Sequence, residues 1–161
     1  MTPTPGIPLP APGSPPPKDG VQLVAEDRLP WDVVAAVAVG GALGSAARYG
    51  VSLAWPAPPA HFPWATLVIN LTGSALLGVL MGIIASRTAT HPLVRPFLGT
   101  GVLGGYTTFS TYAVETRGLL DTGRPLLAAG YVLGTLAGAL TAAWLGGRLG
   151  GRLATRSRVM P

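Results

Sequence analysis

Residues 64–86 read WATLVINLTGSALLGVLMGIIAS, a run without a charged residue from Trp64 to Ser86. About 20 apolar residues in a helix cross roughly 30 Å of hydrocarbon, so this run is long enough to span a bilayer. A surface helix of a soluble domain would carry a charged outer face, and this one has none. The same pattern recurs on both sides. Val33–Ala47 is uncharged and continues past Arg48 to Trp55, while Pro96–Val114 and Pro125–Gly147 are uncharged throughout. Four spanning helices are predicted. Trp31, Trp55, Trp64 and Trp144 fall near the ends of runs, where an amphipathic ring settles at the headgroup level.

Composition agrees with a membrane chain. Of 161 residues, 48% are hydrophobic and 11% charged, against roughly 25% charged in a soluble domain. There is no cysteine, which excludes disulfides, thiolate metal sites and cysteine nucleophiles. The net charge of +5 comes from scattered basic residues, so nucleic acid is not expected as a partner. Residues 1–30 hold nine of the 17 prolines and read as a disordered tail without the basic start of a secretory signal. Residues 31–150 form the four-helix membrane domain, and 151–161 a basic tail. With four spans, Lys18, Arg28, Arg87, Arg95, Arg148, Arg152, Arg156 and Arg158 share one side. Arg117 and Arg124, with Arg48, fall on the other, which predicts a multi-pass plasma-membrane protein with both termini cytoplasmic if a single orientation is used.

Glycines recur four apart at Gly40/Gly44, Gly78/Gly82, Gly101/Gly105 and Gly130/Gly134/Gly138. In lipid such strips bring helices together by close backbone approach, either within one subunit or between subunits. Four helices enclose little space, so a transporting chain is expected to be at least a dimer. Gly99, Gly101 and Gly104 match a dinucleotide-binding spacing but have no preceding strand. Asn70-Leu71-Thr72 matches a glycosylation pattern but lies inside a span, and His61 and His91 stand alone in connectors.

The third run carries Gly104-Gly105-Tyr106-Thr107-Thr108-Phe109-Ser110-Thr111-Tyr112 at its middle. Paired glycines weaken a helix, and hydroxyl side chains offer its backbone other partners. Two readings follow: a helix broken near the bilayer midplane whose freed carbonyls and half-helix ends handle ions, or a continuous helix with its hydroxyls bonded back to preceding carbonyls. Asn70, the only amide in the spans, needs a partner, whether a neighbouring helix or an anion. Arg48 and Glu115 read either as interface anchors or as vestibule charges. Tyr131 and Thr135 sit one turn apart on one face.

These residues resemble the CrcB/Fluc family of fluoride channels over roughly Val33–Leu149. The resemblance is carried by Gly40-Gly41-x-x-Gly44 with Arg48-Tyr49, by Thr66-Leu67-Val68-Ile69-Asn70-x-x-Gly73, and by the Gly104–Tyr112 motif with Glu115. It implies an all-α subunit with four transmembrane helices, the third broken at mid-membrane, that pairs antiparallel into a double-barrelled channel exporting cytoplasmic fluoride passively. It also implies a structural sodium ion (Na+) at the dimer centre, held by the backbone carbonyls of Gly104 and Thr107. The fluoride path would run past the ring edges of Phe109 and Tyr112, the Asn70 amide, and a polar track of Tyr131 and Thr135, with Ser110 and Thr111 as further donors.

This chain departs from the family pattern at Tyr112, which replaces a phenylalanine, and at Ala139, where the polar track lacks a hydroxyl. Its charge bias also favours one orientation, so the second subunit is expected to be another copy or an oppositely oriented paralogue. Two other functions compete: a proton-coupled anion transporter, disfavoured because the spans hold no titratable relay, and a membrane scaffold recruited through the proline-rich tail. An enzyme is not expected, since no nucleophile, base and orienting group converge.

Overall fold

A computed structural model of the chain describes residues 30–56, 58, 60–87 and 89–156. The proline-rich tail, but for Pro30, and residues 157–161 lie outside the described residues, as do Lys18, Arg28 and Arg158 of the charge count. All the described elements are helical. Three helices are long and apolar enough to cross a membrane: α1 (Trp31–Ala54), α2 (Trp64–Ala85) and α5, which spans Pro125–Arg156 and so runs past the predicted domain boundary at Gly150.

The run predicted as a third span is not one helix. It opens as a π-helical segment, Arg95–Leu103, continues as the single turn α3 (Gly104–Tyr106), leaves helical geometry over residues 107–109, and resumes as α4 (Ser110–Asp121). The π-helical opening was not legible in the sequence. It carries Gly99 and Gly101, both buried, against α1 and α2, and the Gly104 N–H reaches back to the Gly99 carbonyl.

Close approaches at glycine fix how the helices lie. A Cβ on Gly44 would strike the Val102 carbonyl, and one on Gly101 would lie 3.0 Å from Gly40. These pairs rise in number together, so α1 runs parallel to the Arg95–Tyr106 stretch. On the other side, Gly78 sits against Ala143, Gly146 against Ala75 and Gly150 against Val79, which makes α2 and α5 parallel neighbours. Gly73 of α2 faces Thr107 while Gly99 faces Met81, so α2 runs opposite to the third stretch. The start of α1, the end of α2, Arg95 and the end of α5 therefore share one end of the bundle.

The predicted glycine strips divide between two fates. Gly40/Gly44, Gly78/Gly82 and Gly101/Gly105 press on neighbouring backbone as expected, and Gly138 touches Leu71. Gly130 and Gly134 meet nothing. The strip that docks α5 is instead Gly146 and Gly150, further along the helix.

The reversal between α4 and α5 follows from local chemistry. Gly123 takes φ +73°, its N–H bonds the Leu120 carbonyl at 2.9 Å, and the Arg124 N–H bonds the Leu119 carbonyl at 2.9 Å. This is the paired closure of a Schellman turn, and Pro125 then starts α5 where a missing N–H costs nothing. The turn brings Leu119 against Ala128 and Tyr131, the small apolar core that Phe62, Leu67 and Tyr112 cover. Elsewhere large apolar side chains face outward, among them Leu126, Leu133 and Leu140 of α5.

Gly44→Ala is expected to destabilise the fold by about 1–3 kcal/mol through overpacking. Gly118→Ala, where a Cβ meets open space, should leave stability unchanged or slightly raised. Thermal unfolding of the two variants in detergent compares them.

Candidate functional site

The interruption at residues 107–109 is the centre of the site. Thr107 is extended, at φ −73° and ψ 158°. The next residue makes no helical bond. Its N–H donates to Asn70 Oδ1 at 2.9 Å, and its carbonyl accepts from Asn70 Nδ2 at 3.0 Å. One side-chain amide thus satisfies both backbone groups of Thr108, and the demand for a donor on one side and an acceptor on the other fixes which way the amide faces. Asn70 and Thr108 are both buried.

Thr108 also starts the next helix. Its Oγ1 accepts from the Thr111 N–H at 3.2 Å, in the manner of a helix cap, and donates to Thr111 Oγ1 at 3.0 Å. Ser110 Oγ lies 3.3 Å from the same oxygen. Two carbonyls lose their regular partners as a result. In a continuous helix the Gly104 carbonyl would accept from the Thr108 N–H and the Thr107 carbonyl from the Thr111 N–H. Asn70 and Thr108 take those donors instead.

Two cavities flank this point, and Thr108 lines both. The smaller, about 240 Å³, is lined by Ser45, Arg48, Ser52, Thr66 and Thr111 with Thr108. Arg48 does not simply reach outward as a mouth residue would. Its Nε donates to the Gly105 carbonyl at 3.1 Å, with Ser45 Oγ 3.4 Å from the same oxygen. A cation there meets the negative end of the helical stretch that finishes at Tyr106.

The larger cavity, about 470 Å³ and partly open, gathers Asn70, Thr107, Phe109, Tyr112, Thr135 and Ala139. It contains no charged side chain. Thr135 is 6% exposed, and its Oγ1 is the one buried side-chain polar atom among the described residues with no hydrogen-bond partner. A buried hydroxyl with no protein partner is available to donate a hydrogen bond into the cavity it lines. Phe109 is 79% exposed, with its ring centroid 5.8 Å from that of Tyr112. The Tyr112 hydroxyl is directed to the Val132 carbonyl at 3.3 Å, so the departure from phenylalanine ties the ring to α5.

Not all the predicted residues converge. Tyr131, fully buried, donates to Glu115 Oε2 at 2.7 Å, and Thr66 donates to Glu115 Oε1 at 2.9 Å. Tyr131 is therefore turned to a carboxylate and away from Thr135 and the larger cavity, although the two share a helical face. Ser110 is exposed and lines neither cavity. Thr66 and Thr108 stand in the sequence motifs but were given no role of their own there. Thr66, Asn70 and Ser74 do lie four apart on α2, a polar stripe whose spacing would have pointed to Thr66.

Comparison with known proteins adds an independent line. The family model described as CrcB-like protein, Camphor Resistance (CrcB), matches residues 35–147. A protein of Nocardia farcinica named fluoride-specific ion channel FluC 2 is 51% identical over 104 residues, covering 65% of this chain and 74% of that protein. One of Streptomyces coelicolor, named fluoride-specific ion channel FluC 1, is 49% identical over 120 residues, covering 72% and 78%.

Asn70→Ala is expected to cost about 2–4 kcal/mol of stability, because it strands two buried backbone groups. Thr135→Val removes a hydroxyl with no partner and should be neutral or stabilising. Thermal unfolding in one detergent ranks the two, and an Asn70→Ala protein as stable as its parent would contradict the bridge.

Proposed function

The chain belongs to the CrcB-like protein family, and on that premise we propose that it is a passive channel through which fluoride leaves the cytoplasm. It is a multi-pass membrane protein, and its family is one of ion channels and not of enzymes. The larger cavity carries the reading. It joins an unsatisfied buried donor at Thr135 to the outward face of Phe109 without a fixed charge.

Fluoride is small and strongly hydrated, so a pore must replace its water with directed donors. Thr135 Oγ1 has its proton free for this. The second N–H of Asn70 Nδ2 is a further donor, since the first is spent on Thr108. Ring edges carry the positive end of the aromatic quadrupole, so Phe109 meets an anion without binding it as tightly as an ammonium would. Donors this weak let the ion leave again. Arg48, on the other side of Thr108, raises the local concentration of anions in the smaller cavity by its field. Thr111 and Tyr112, which line the two cavities, complete the proposed path, while Ser110 and Tyr131, which line neither, act on it through their hydrogen bonds to Thr108 and Glu115.

The proposed channel is a dimer of oppositely oriented subunits, with the interruption at mid-membrane. Gly104, Phe109 and Ser110 are exposed in one subunit, and Gly130 and Gly134 form an unpacked strip. Irregular backbone at that depth is tolerated only against protein or water. A second subunit covers it, whether another copy or a paralogue inserted the other way. The residues also fit the family's sodium ion. The carbonyls of Gly104 and Thr107, freed from helical bonding, give two oxygens per subunit and four in a pair, the donor chemistry that hard cations take. When bound, Na+ would supply a fixed charge joining the two subunits. Where this chain inserts in a single orientation and a paralogue supplies the second subunit, the arginine bias favours cytoplasmic termini for this chain.

Fluoride efflux from liposomes tests the proposal. The purified parent is expected to pass fluoride and not chloride, with undiminished flux when the pH gradient is collapsed, as a channel and not a proton-coupled carrier requires. Loss of a donor to an ion costs about 1.5–3 kcal/mol, so Thr135→Val should slow efflux by about tenfold or more, and Phe109→Ile should slow it as well. Equal flux in parent and variants would overturn the site, and absence of flux from the parent, alone or with a paralogue, would overturn the function.

A further inference from the structure

The two cavities leave unexplained the end of the bundle where α1 begins and α5 finishes. Arg87, Arg95, Arg148 and Arg152 all lie there, and all are exposed. Asp32 is the one acidic residue at that end among the described residues. The ion pair found among them, Arg117 with Asp121 at 3.5 Å, is at the opposite end. Among the described residues, four guanidinium groups thus share a rim with a single carboxylate, that of Asp32.

α5 places two of these groups at a definite depth. Its 32 residues rise roughly 48 Å, well beyond the roughly 30 Å of hydrocarbon. Counted from Pro125, Trp144 lies roughly 29 Å along the axis, at the far headgroup boundary. Arg148 comes one turn later, with its guanidinium carbon 4.7 Å above the Trp144 ring, and Arg152 one turn after that. Leu145, Leu149 and Leu153 flank this stripe and are about half exposed. The opposite face, Gly146 and Gly150, is pressed on α2. The helix end therefore stands fixed at the membrane surface, with leucines toward acyl chains and arginines toward headgroups.

We propose that this end binds anionic phospholipid headgroups, with Arg148 and Arg152 holding the headgroup phosphate beside Trp144. A planar guanidinium offers paired N–H donors that match phosphate oxygens, and two of them one turn apart address one headgroup. Arg87 and Arg95 add to the attraction from the same rim. The site rests on the membrane-spanning reading of α5 and not on what the protein conducts.

Trp144 is a built-in reporter. The full chain is reconstituted in phosphatidylcholine vesicles holding an equal minor fraction of brominated phosphatidylglycerol or brominated phosphatidylcholine. The contribution of Trp144 is the difference in tryptophan quenching between the parent and Trp144→Phe. Each arginine near an anionic surface is expected to add about fivefold to the preference, so phosphatidylglycerol should occupy the site about tenfold or more over phosphatidylcholine. That preference should shrink in high salt, vanish in the double variant Arg148→Gln with Arg152→Gln, and largely survive Arg148→Lys with Arg152→Lys. Equal quenching by the two lipids in the parent, or a preference that salt does not reduce, overturns the proposal even if the double variant fails to fold. The readout needs no ion flux, so its failure and a failure of the fluoride reading are separate results.

Discussion

Hydrocarbon offers no hydrogen-bond partner, so a backbone that leaves the helical path inside a membrane must be repaired by the protein itself. At the interruption proposed to lie at mid-membrane, the repair is one side chain. The amide of Asn70 pairs with the N–H and the carbonyl of Thr108, as a neighbouring strand would, and the Thr108 hydroxyl then caps the helix that follows. The glycine contacts serve the same end. They let α1, α2 and the third stretch approach until Asn70 is within reach of its target. Were the helices held apart by ordinary side chains, the extended Thr107 would have no compensation.

In the proposed channel this repair also creates the chemistry. Taking the N–H groups of Thr108 and Thr111 out of the helical ladder frees two carbonyls for a cation, and the turn that follows presents Phe109 outward. Thr108 separates a cavity with a guanidinium from one without charge. An anion gathered by Arg48 would next meet neutral donors, which hold it weakly enough to release it. The proposed pairing would cover what one subunit leaves exposed beside the interruption, Gly104, Phe109 and Ser110.

Much of this was legible in residue order. The uncharged runs marked the membrane helices because length and absence of charge are local properties. The Gly104–Tyr112 stretch announced a weak point in the third run because glycine and hydroxyl residues act on their own backbone. Asn70 was recognisable as an amide in need of partners. What could not be read was which partner it takes, because that depends on two helices meeting. The same reason hid the bond from Arg48 to Gly105, the turn of Tyr131 toward Glu115, and the choice of Gly146 and Gly150 over Gly130 and Gly134 as the docking face of α5. Spacing shows that small residues share a face; only packing decides which face is covered.

The backbone of Thr107 in the membrane-reconstituted chain tests the central claim most directly. Solid-state NMR chemical shifts of its Cα and Cβ distinguish extended from helical geometry without reference to flux or assembly. Shifts of the extended type, flanked by helical values at Tyr106 and Thr111, are what the account requires. Helical shifts running without interruption from Gly104 through Thr111 would contradict it.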